Sequence, residues 1–372
     1  MGFRFRRSMR IAQGLRLNCG KRGLSMSTGV RCARVRTMAA RLGLAIGQPQ
    51  RECRLLRLRG LCLATALITT AGACASERTA PTAPTIPTTA ASNTLTGHVV
   101  ATNGGEPLVG VSVTLSGRTA ITDATGSFTL DGIPTGTQRV LLAGSAIVPR
   151  ALTIAATAGR DVAIDAIQTA GFDLAFYRQI VRNGFEAPPG ALQPIRRWTE
   201  HPQLYLRTVD ETGATVDAGT LDMAERTIRE TTPVWTGGRF GIAAVERGTA
   251  PRVGASGWIT VNWVSALEPG VCGRSTVSGN AIELRTNAAC HCGNTLASVT
   301  LVRHELGHAL GYWHTDAPTD VMTGTRYLSC DQQPSARERA AAAIAYARPV
   351  GNTDEDVDPA STVTLMPTRF IP

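Results

Sequence analysis

Three of the six histidines in this 372-residue chain fall within one segment, HELGHALGYWH, as His304, His308 and His314. Two histidines four residues apart lie one above the other on a helix, so His304 and His308 can share a single ion. Gly311 allows a sharp turn that brings His314 to the same point. Three neutral imidazoles leave one position open for water, which predicts a catalytic rather than a structural zinc site.

An acidic residue, Glu305, follows the first of these histidines. From that position its carboxylate reaches a water bound to the metal rather than the metal itself, which predicts a general base. A single HExxH pair can arise by chance. The longer pattern in a chain with only three other histidines makes chance a poor explanation.

The complete HExxHxxGxxH pattern of residues 304–314 resembles the metzincin metallopeptidases, and HELGHALGYWHT is closest to the matrixin-like members. The resemblance implies a zinc ion on the three histidines and a methionine turn below it, for which Met322 in TDVMTG matches. No cysteine-switch propeptide is found, so latency through a thiol is not supported. Gly324 stands where some metzincins have a tyrosine, and Tyr327 does not match that position.

A helix over residues 294–311 is expected to carry the first two histidines, with Asn294 as N-cap and Gly311 at the end. Apolar and β-branched patterns predict a second helix and three strands in the same region. These are residues 220–235 for the helix, and 239–246, 257–264 and 279–286 for the strands. Residues 170–350 are therefore predicted to form an α/β (α+β) domain with a twisted sheet. The metzincin resemblance implies that strand 279–286 is an edge strand that pairs with an extended peptide substrate.

Residues 94–169 have the alternating pattern and recurrent turns of a small all-β sandwich. The stretches TGHVV, GEPLVGVSVTLSG and TDATGSFTLDGIPTG resemble, in order, the carboxypeptidase regulatory-like, transthyretin-like module. The fold class is therefore multidomain, with this sandwich placed before the metzincin-like zinc peptidase domain.

Residues 1–75 are interpreted as a leader with a secretory signal peptide. RECRLLRLRG (51–60) supplies positive charge, and LCLATALITTAGA (61–73) is an apolar run too short for a lasting transmembrane helix. Cleavage fits after residue 73 or after residue 75. The first would expose Cys74, and TAGAC resembles the lipobox of bacterial lipoproteins, so lipid anchoring and plain secretion both stay open. Residues 1–50 are either a mis-assigned start or a long basic region, and no fold is assigned to them.

The net charge of +10 belongs to this leader, because residues 1–74 hold 15 of the 38 basic residues and one acid. The remaining 23 basic and 27 acidic residues argue against nucleic acid as a partner. Residues 76–93, rich in Pro, Thr and Ala, predict an extended linker, and residues 351–372 a poorly ordered tail.

Four cysteines remain after the leader: Cys272, Cys290, Cys292 and Cys330. In an exported, oxidised domain they predict two disulfides, with three pairings open. A zinc cluster built on the CHC of residues 290–292 is the rival interpretation, and it lacks the usual CxxC spacing.

The sequence thus predicts a zinc endopeptidase that is secreted or held at the cell envelope and acts on protein or peptide substrates. A binding or adhesion lipoprotein with a vestigial zinc site is the alternative. A zinc hydrolase of non-protein amides is a third.

Overall fold

The computed structural model describes residues 92–364, except positions 158, 189 and 253, and three strands near the amino terminus. The chain divides into two compact units, Met1–Ile86 and Pro87–Pro372. The described strands of the first unit pair antiparallel in the order β1-β2-β3. They are β1 (Arg7–Ala12), β2 (Leu15–Gly20) and β3 (Gly23–Thr28).

This small sheet lies in a segment to which the sequence analysis assigned no fold. The predicted signal peptide, Cys74 and the linker up to residue 91 lie outside the described residues. Within the described part of the chain, every helix is too short or too polar to cross a bilayer.

The second unit begins with a β-rich region that forms two facing sheets. Its strands are β4 (Ser92–Ala101), β5 (Ser112–Leu115), β6 (Arg118–Ile121), β7 (Ser127–Pro134), β8 (Gly136–Ala143), β9 (Arg150–Ala156) and β10 (Val162–Ala166). One sheet has the order β10-β4-β7 and the other includes β9-β8-β5-β6. Alternate residues such as Leu95, Val113 and Leu130 are buried between them, as the period of two requires.

Over its described residues, the α/β region has four α-helices and a mixed sheet of five strands. The helices are α1 (Leu174–Arg182), α2 (Ala218–Trp235), α3 (Val299–Leu310) and α4 (Ala336–Ala347). The strands are β11 (Gln203–Asp210), β12 (Val245–Gly248), β13 (Trp258–Val264), β14 (Gly273–Ser275) and β15 (Ala281–Arg285). Their order is β12-β11-β13-β15-β14, and only β14 runs antiparallel to its neighbour.

Several sequence expectations differ from this architecture. Of the strand predicted at residues 239–246, only residues 245–246 belong to a strand, β12. The histidine helix α3 begins at Val299 with Ser298 as its N-cap, whose hydroxyl accepts from the amide of Leu301, so Asn294 lies outside it. The strand predicted at residues 279–286 is β15, which has neighbours on both sides. The edge strand beside α3 is β14, too short to be recognised from its sequence.

The segment after α4 does not behave as the predicted tail. Strand β16 (Asp356–Val357) pairs parallel with β9 and so becomes the outermost strand of the larger sandwich sheet. Residues 351–364 are described and 365–372 are not. The α/β region therefore supplies a strand to the sandwich that precedes it.

Buried charges join the two regions at this point. Arg150 and Asp165 from the sandwich contact Arg348, Asp356 and Asp358 from the segment after α4. All five are at most 6% exposed. Burial raises the pKa of Asp165, but the two arginines outweigh it and hold that pKa well below its usual range. Buried charges are tolerated when they are paired, and here Arg150 and Arg348 each pair with a carboxylate of the other region.

Candidate metal centre

Helix α3 carries two of the predicted ligands, and its position is fixed at both ends. Gly311 is the C-cap with φ 118°, and a Cβ there would lie 2.0 Å from the carbonyl oxygen of Arg196. Only glycine fits that conformation in that space, so the helix stops and the chain turns toward His314. His304 and His308 lie on one face of the helix and are buried.

The three imidazoles converge on one point. The Nε2 atoms of His304, His308 and His314 lie 3.1–3.2 Å apart. Within the described residues they are the one group of this kind able to hold a metal ion. Nitrogens bound to one tetrahedral zinc at about 2.0–2.1 Å are separated by about 3.3 Å, so the spacing fits such an ion.

Each imidazole is oriented through its other nitrogen. His304 Nδ1 lies 2.7 Å from the carbonyl oxygen of Val321, and His308 Nδ1 lies 2.8 Å from that of Tyr312. Carbonyl oxygens only accept, so both Nδ1 atoms carry the proton and both Nε2 lone pairs point at the convergence point. Burial lowers the pKa of His304 far below its ordinary value and that of His308 to about 4, which keeps both rings neutral.

His314 is held differently. Its Nδ1 lies 2.5 Å from Oε1 of Glu186, a residue 128 positions earlier in the loop after α1. A carboxylate only accepts from a ring N–H, so this contact selects the same tautomer as the carbonyls do for the other two rings. Nothing in the spacing of residues marks Glu186 as part of the site, and the sequence analysis missed it.

Met322 packs under the ligand-bearing helix. Met322 is fully buried, and a Cβ on Gly307 would lie 2.3 Å from its sulfur. Because Gly307 has no side chain, helix α3 can pack directly against the turn that contains Met322. The buried carboxylate of Glu338, on α4, accepts the amide N–H groups of Val321 and Met322. The same turn thus supplies the carbonyl that orients His304, and α4 holds the turn in place. Glu338 was also missed by the sequence analysis.

Glu305 lies 3% exposed beside the imidazoles, and its Oε2 has no hydrogen-bond partner among the described residues. Burial raises its pKa to about 8. A Cβ on Gly273 of β14 would lie 2.5 Å from Oε1, so the edge strand passes directly over the carboxylate. A buried carboxyl group with one oxygen left without a partner, beside three converging imidazoles, fits a site built for a cation and its water.

A cavity of about 910 Å³ opens in front of these groups. Its walls are the edge strand β14, the loop before α3 and residues 323–330. The disulfides Cys272–Cys290 and Cys292–Cys330 lie in those walls and are one of the three pairings that the sequence left open. They also exclude the rival CHC zinc cluster. Among the walls, Tyr327 sets its ring 5.4 Å from that of His304.

Comparisons with known families cover two parts of the chain. Residues 94–169 match the carboxypeptidase regulatory-like domain, which agrees with the sandwich described above. Residues 3–50 match a family described as protein of unknown function (DUF4236), in the segment that contains β1 to β3. The region that carries the three histidines lies outside both matches. A search of curated proteins gave no match.

Several solved structures are similar over part of the chain. An archaemetzincin from Methanopyrus kandleri is 15% identical with a TM-score of 0.30, over 40% of this chain and 97% of that protein. A type II cohesin–X-dockerin complex from Acetivibrio cellulolyticus is 22% identical with a TM-score of 0.17, over 20% of this chain and 51% of that one. The major pilin subunit BcpA of Bacillus cereus is 10% identical with a TM-score of 0.18, over 21% and 30%. The chain thus spans about half of the first cohesin–dockerin chain, and TM-scores of this size establish no shared activity.

Proposed function

We propose that this chain is an exported zinc-dependent endopeptidase of the metzincin type, closest to the matrixin-like members. The observation that carries the proposal is the convergence of three imidazole nitrogens within 3.2 Å of one another, beside a buried glutamate in an open cavity. His304, His308 and His314 would hold the metal, and the open side of the cavity would admit a substrate.

Glu305 is the proposed general base. A zinc ion held by the three histidines would lower the pKa of a bound water and polarise the scissile carbonyl. Glu305 accepts a proton from the attacking water and returns it to the leaving amine nitrogen. Peptide hydrolysis therefore needs no covalent enzyme intermediate. A cation nearby favours the carboxylate form and offsets the burial that raises the pKa of Glu305. Met322 packs below the ligands and takes no part in proton transfer.

The proposed substrate is an extended peptide. Among the strands that the structure describes, β14 has a neighbour only on the β15 side, and its residues line the cavity beside Glu305. An extended chain would add to that edge through main-chain hydrogen bonds and lie across the imidazoles. This assigns to β14 the role that the sequence analysis gave to residues 279–286.

The proposed location is outside the cell or at its envelope. The two disulfides of the α/β region are typical of an oxidising compartment. Acylation of Cys74 would add a membrane as partner through a lipid anchor. Cys74→Ser should then shift the expressed protein from the membrane fraction to the soluble fraction; unchanged distribution would exclude the anchor.

The test uses the compact unit Pro87–Pro372 and its Glu305→Gln variant, with unfolded casein as substrate and zinc content measured on both. We expect about one zinc per chain in each protein. Only the wild type should cut, because the variant keeps the ligands but cannot accept a proton.

Two results would argue against the proposal. Equal cleavage by both proteins would remove Glu305 as base. Zinc in both with no cleavage of casein or a peptide library by either would favour the binding or adhesion alternative.

A further inference from the structure

We propose that Glu186 is a positioning residue that orients the third imidazole of the metal centre and sets the affinity of the site. The inference rests on the proposed function and extends it to a segment outside the histidine motif. It starts from a difference among the ligands. His304 and His308 donate to main-chain carbonyls, whereas His314 donates to a side-chain carboxylate.

The contact itself fixes one tautomer and one ring orientation. When His314 Nδ1–H donates to Oε1 of Glu186, at an Nδ1–Oε1 distance of 2.5 Å, the Nε2 atom of the same ring faces the other two imidazoles. His314 is only half-buried, with 28% of its side chain exposed, so packing alone does not hold the ring. Without Glu186 the imidazole could rotate or exchange tautomers in water.

The loop that carries Glu186 has a defined turn. Asn183 adopts a left-handed conformation with φ 59°, and the amide of Gly184 donates to the carbonyl of Arg178 at 2.7 Å. The amide of Ala187 donates to the carbonyl of Asn183 at 2.9 Å. Phe185, the residue before Glu186, lies against Gly324. A Cβ on Gly324 would be 3.0 Å from the Phe185 ring. Glu186 therefore projects from a turn braced on both sides.

The backbone on both sides of His314 is hydrogen-bonded to helix α1, the helix that precedes the Glu186 turn. The amide of Trp313 donates to the carbonyl of Ile180 at 2.7 Å, and the amide of Asp316 donates to the side chain of Gln179 at 3.3 Å. The end of α1 thus holds the chain on either side of His314, while the turn that follows α1 holds its ring.

Helix α1 is in turn anchored by the segment that joins the sandwich. The guanidinium of Arg182, fully buried, donates to the carbonyl and side-chain oxygens of Asn352 at 2.9 and 2.6 Å. Arg178 forms an ion pair with Asp354 at 2.8 Å. Contacts therefore run without a break from the segment containing β16, through α1, to the third ligand.

The experiment measures zinc affinity of the Pro87–Pro372 unit by competition with a chromophoric chelator. Glu186→Ala should weaken zinc binding by about 10–100-fold, the usual loss for a partner that orients a metal ligand. It should also change the absorption spectrum of the cobalt-substituted protein, because the third nitrogen is no longer held. Glu230→Ala, at an exposed glutamate of α2 that does not line the cavity, is the matched control and should change neither.

Two further variants separate positioning from charge. Glu186→Gln keeps an oxygen that accepts from Nδ1 and should recover most of the affinity. Glu186→Asp keeps the charge but shortens the side chain, and should behave like the alanine variant. Urea unfolding of the metal-free proteins should be unchanged, since the side chain of Glu186 is 45% exposed.

The outcomes are distinct. A Glu186→Ala protein with the zinc affinity and cobalt spectrum of the wild type would overturn this inference and leave the peptidase proposal intact. Full affinity in the aspartate variant with loss in the glutamine variant would also overturn it, because charge rather than orientation would be responsible. A wild type that binds no zinc would remove both proposals.

Discussion

The candidate metal centre is assembled from two regions of different character, a helix and a loop. On helix α3, His304 and His308 are buried and donate to main-chain carbonyls of nearby turns. On the loop after Gly311, His314 is half-buried and depends on Glu186. The helix brings its two histidines together through local geometry, whereas the loop needs contacts from helix α1 and from the turn that follows it. The comparison teaches that a motif contiguous in sequence can depend on residues far from it.

The largest expected effect is the loss of zinc affinity when one histidine is removed, either from helix α3 or from the loop. Zinc sites built from protein ligands gain about 10–16 kcal/mol in total, so losing one ligand should weaken binding by about 1,000-fold or more. We expect His304→Ala to lose more affinity than His314→Ala. The latter leaves two histidines preorganised on one helix, whereas the former leaves one on the helix and one on the loop. Chelator competition measures both, with His201→Ala as control; equal losses would contradict the comparison.

A second prediction concerns the buried ion pairs that join the sandwich to the segment after α4. Arg348→Met removes a buried cation and leaves Asp165 and Asp356 without a partner they contact in the structure. Breaking a buried pair in this way costs about 3–5 kcal/mol in the free energy of unfolding. Urea unfolding checks it, with Arg229→Met on the exposed face of α2 expected to cost at most about 0.5 kcal/mol. Similar losses in both variants would show that the junction between the regions adds little stability.

A third prediction concerns Gly311, the joint between helix and loop. Gly311→Ala places a Cβ 2.0 Å from the carbonyl of Arg196 and forces a left-handed conformation on alanine. The expected loss is about 2–4 kcal/mol in unfolding free energy, together with weaker zinc binding as His314 is displaced. Gly241→Ala, where a Cβ meets nothing within 4 Å, is the control. A Gly311→Ala protein with wild-type stability and wild-type zinc affinity would show that position 311 does not require glycine.

The smallest effect is the acid sensitivity of the junction. The folded-state pKa of Asp165 is lowered below its ordinary 3.8, so the stabilisation is complete above that value and is lost as the pH falls toward the folded pKa. Below about pH 4, unfolding free energy should fall with a slope contribution of up to about 1.4 kcal/mol per pH unit. Unfolding curves between pH 3 and 5 should show a shallower slope for Asp165→Asn. An identical slope would remove Asp165 from the acid response.

The sequence was informative where chemistry and local geometry coincide. The spacing of His304 and His308 and the position of Gly311 depend only on helical repeat and backbone conformation, and the structure has them on one helix and at its end. The sandwich followed from period-two alternation, and its family match agrees with it.

Other features could not be predicted because they arise from tertiary contacts. The start of α3 was placed at Asn294 because that residue is a good cap, but Ser298 caps the helix instead. The role of β14 depends on which strand lies at the sheet edge, and three residues carry too little pattern to show it. Glu186 and Glu338 act through partners many residues away, so no local spacing identifies them.

Strand β16 also sets an order in which the protein can be completed. Its register joins Asp356 to Arg150, so a strand made late in synthesis closes a sheet whose other strands were made much earlier. Until residues 348–358 emerge, Arg150 and Asp165 can form an ion pair only with each other within this network. In a chain delivered residue by residue from its amino terminus, both the sandwich and the α/β region therefore lack native contacts until that segment has been made.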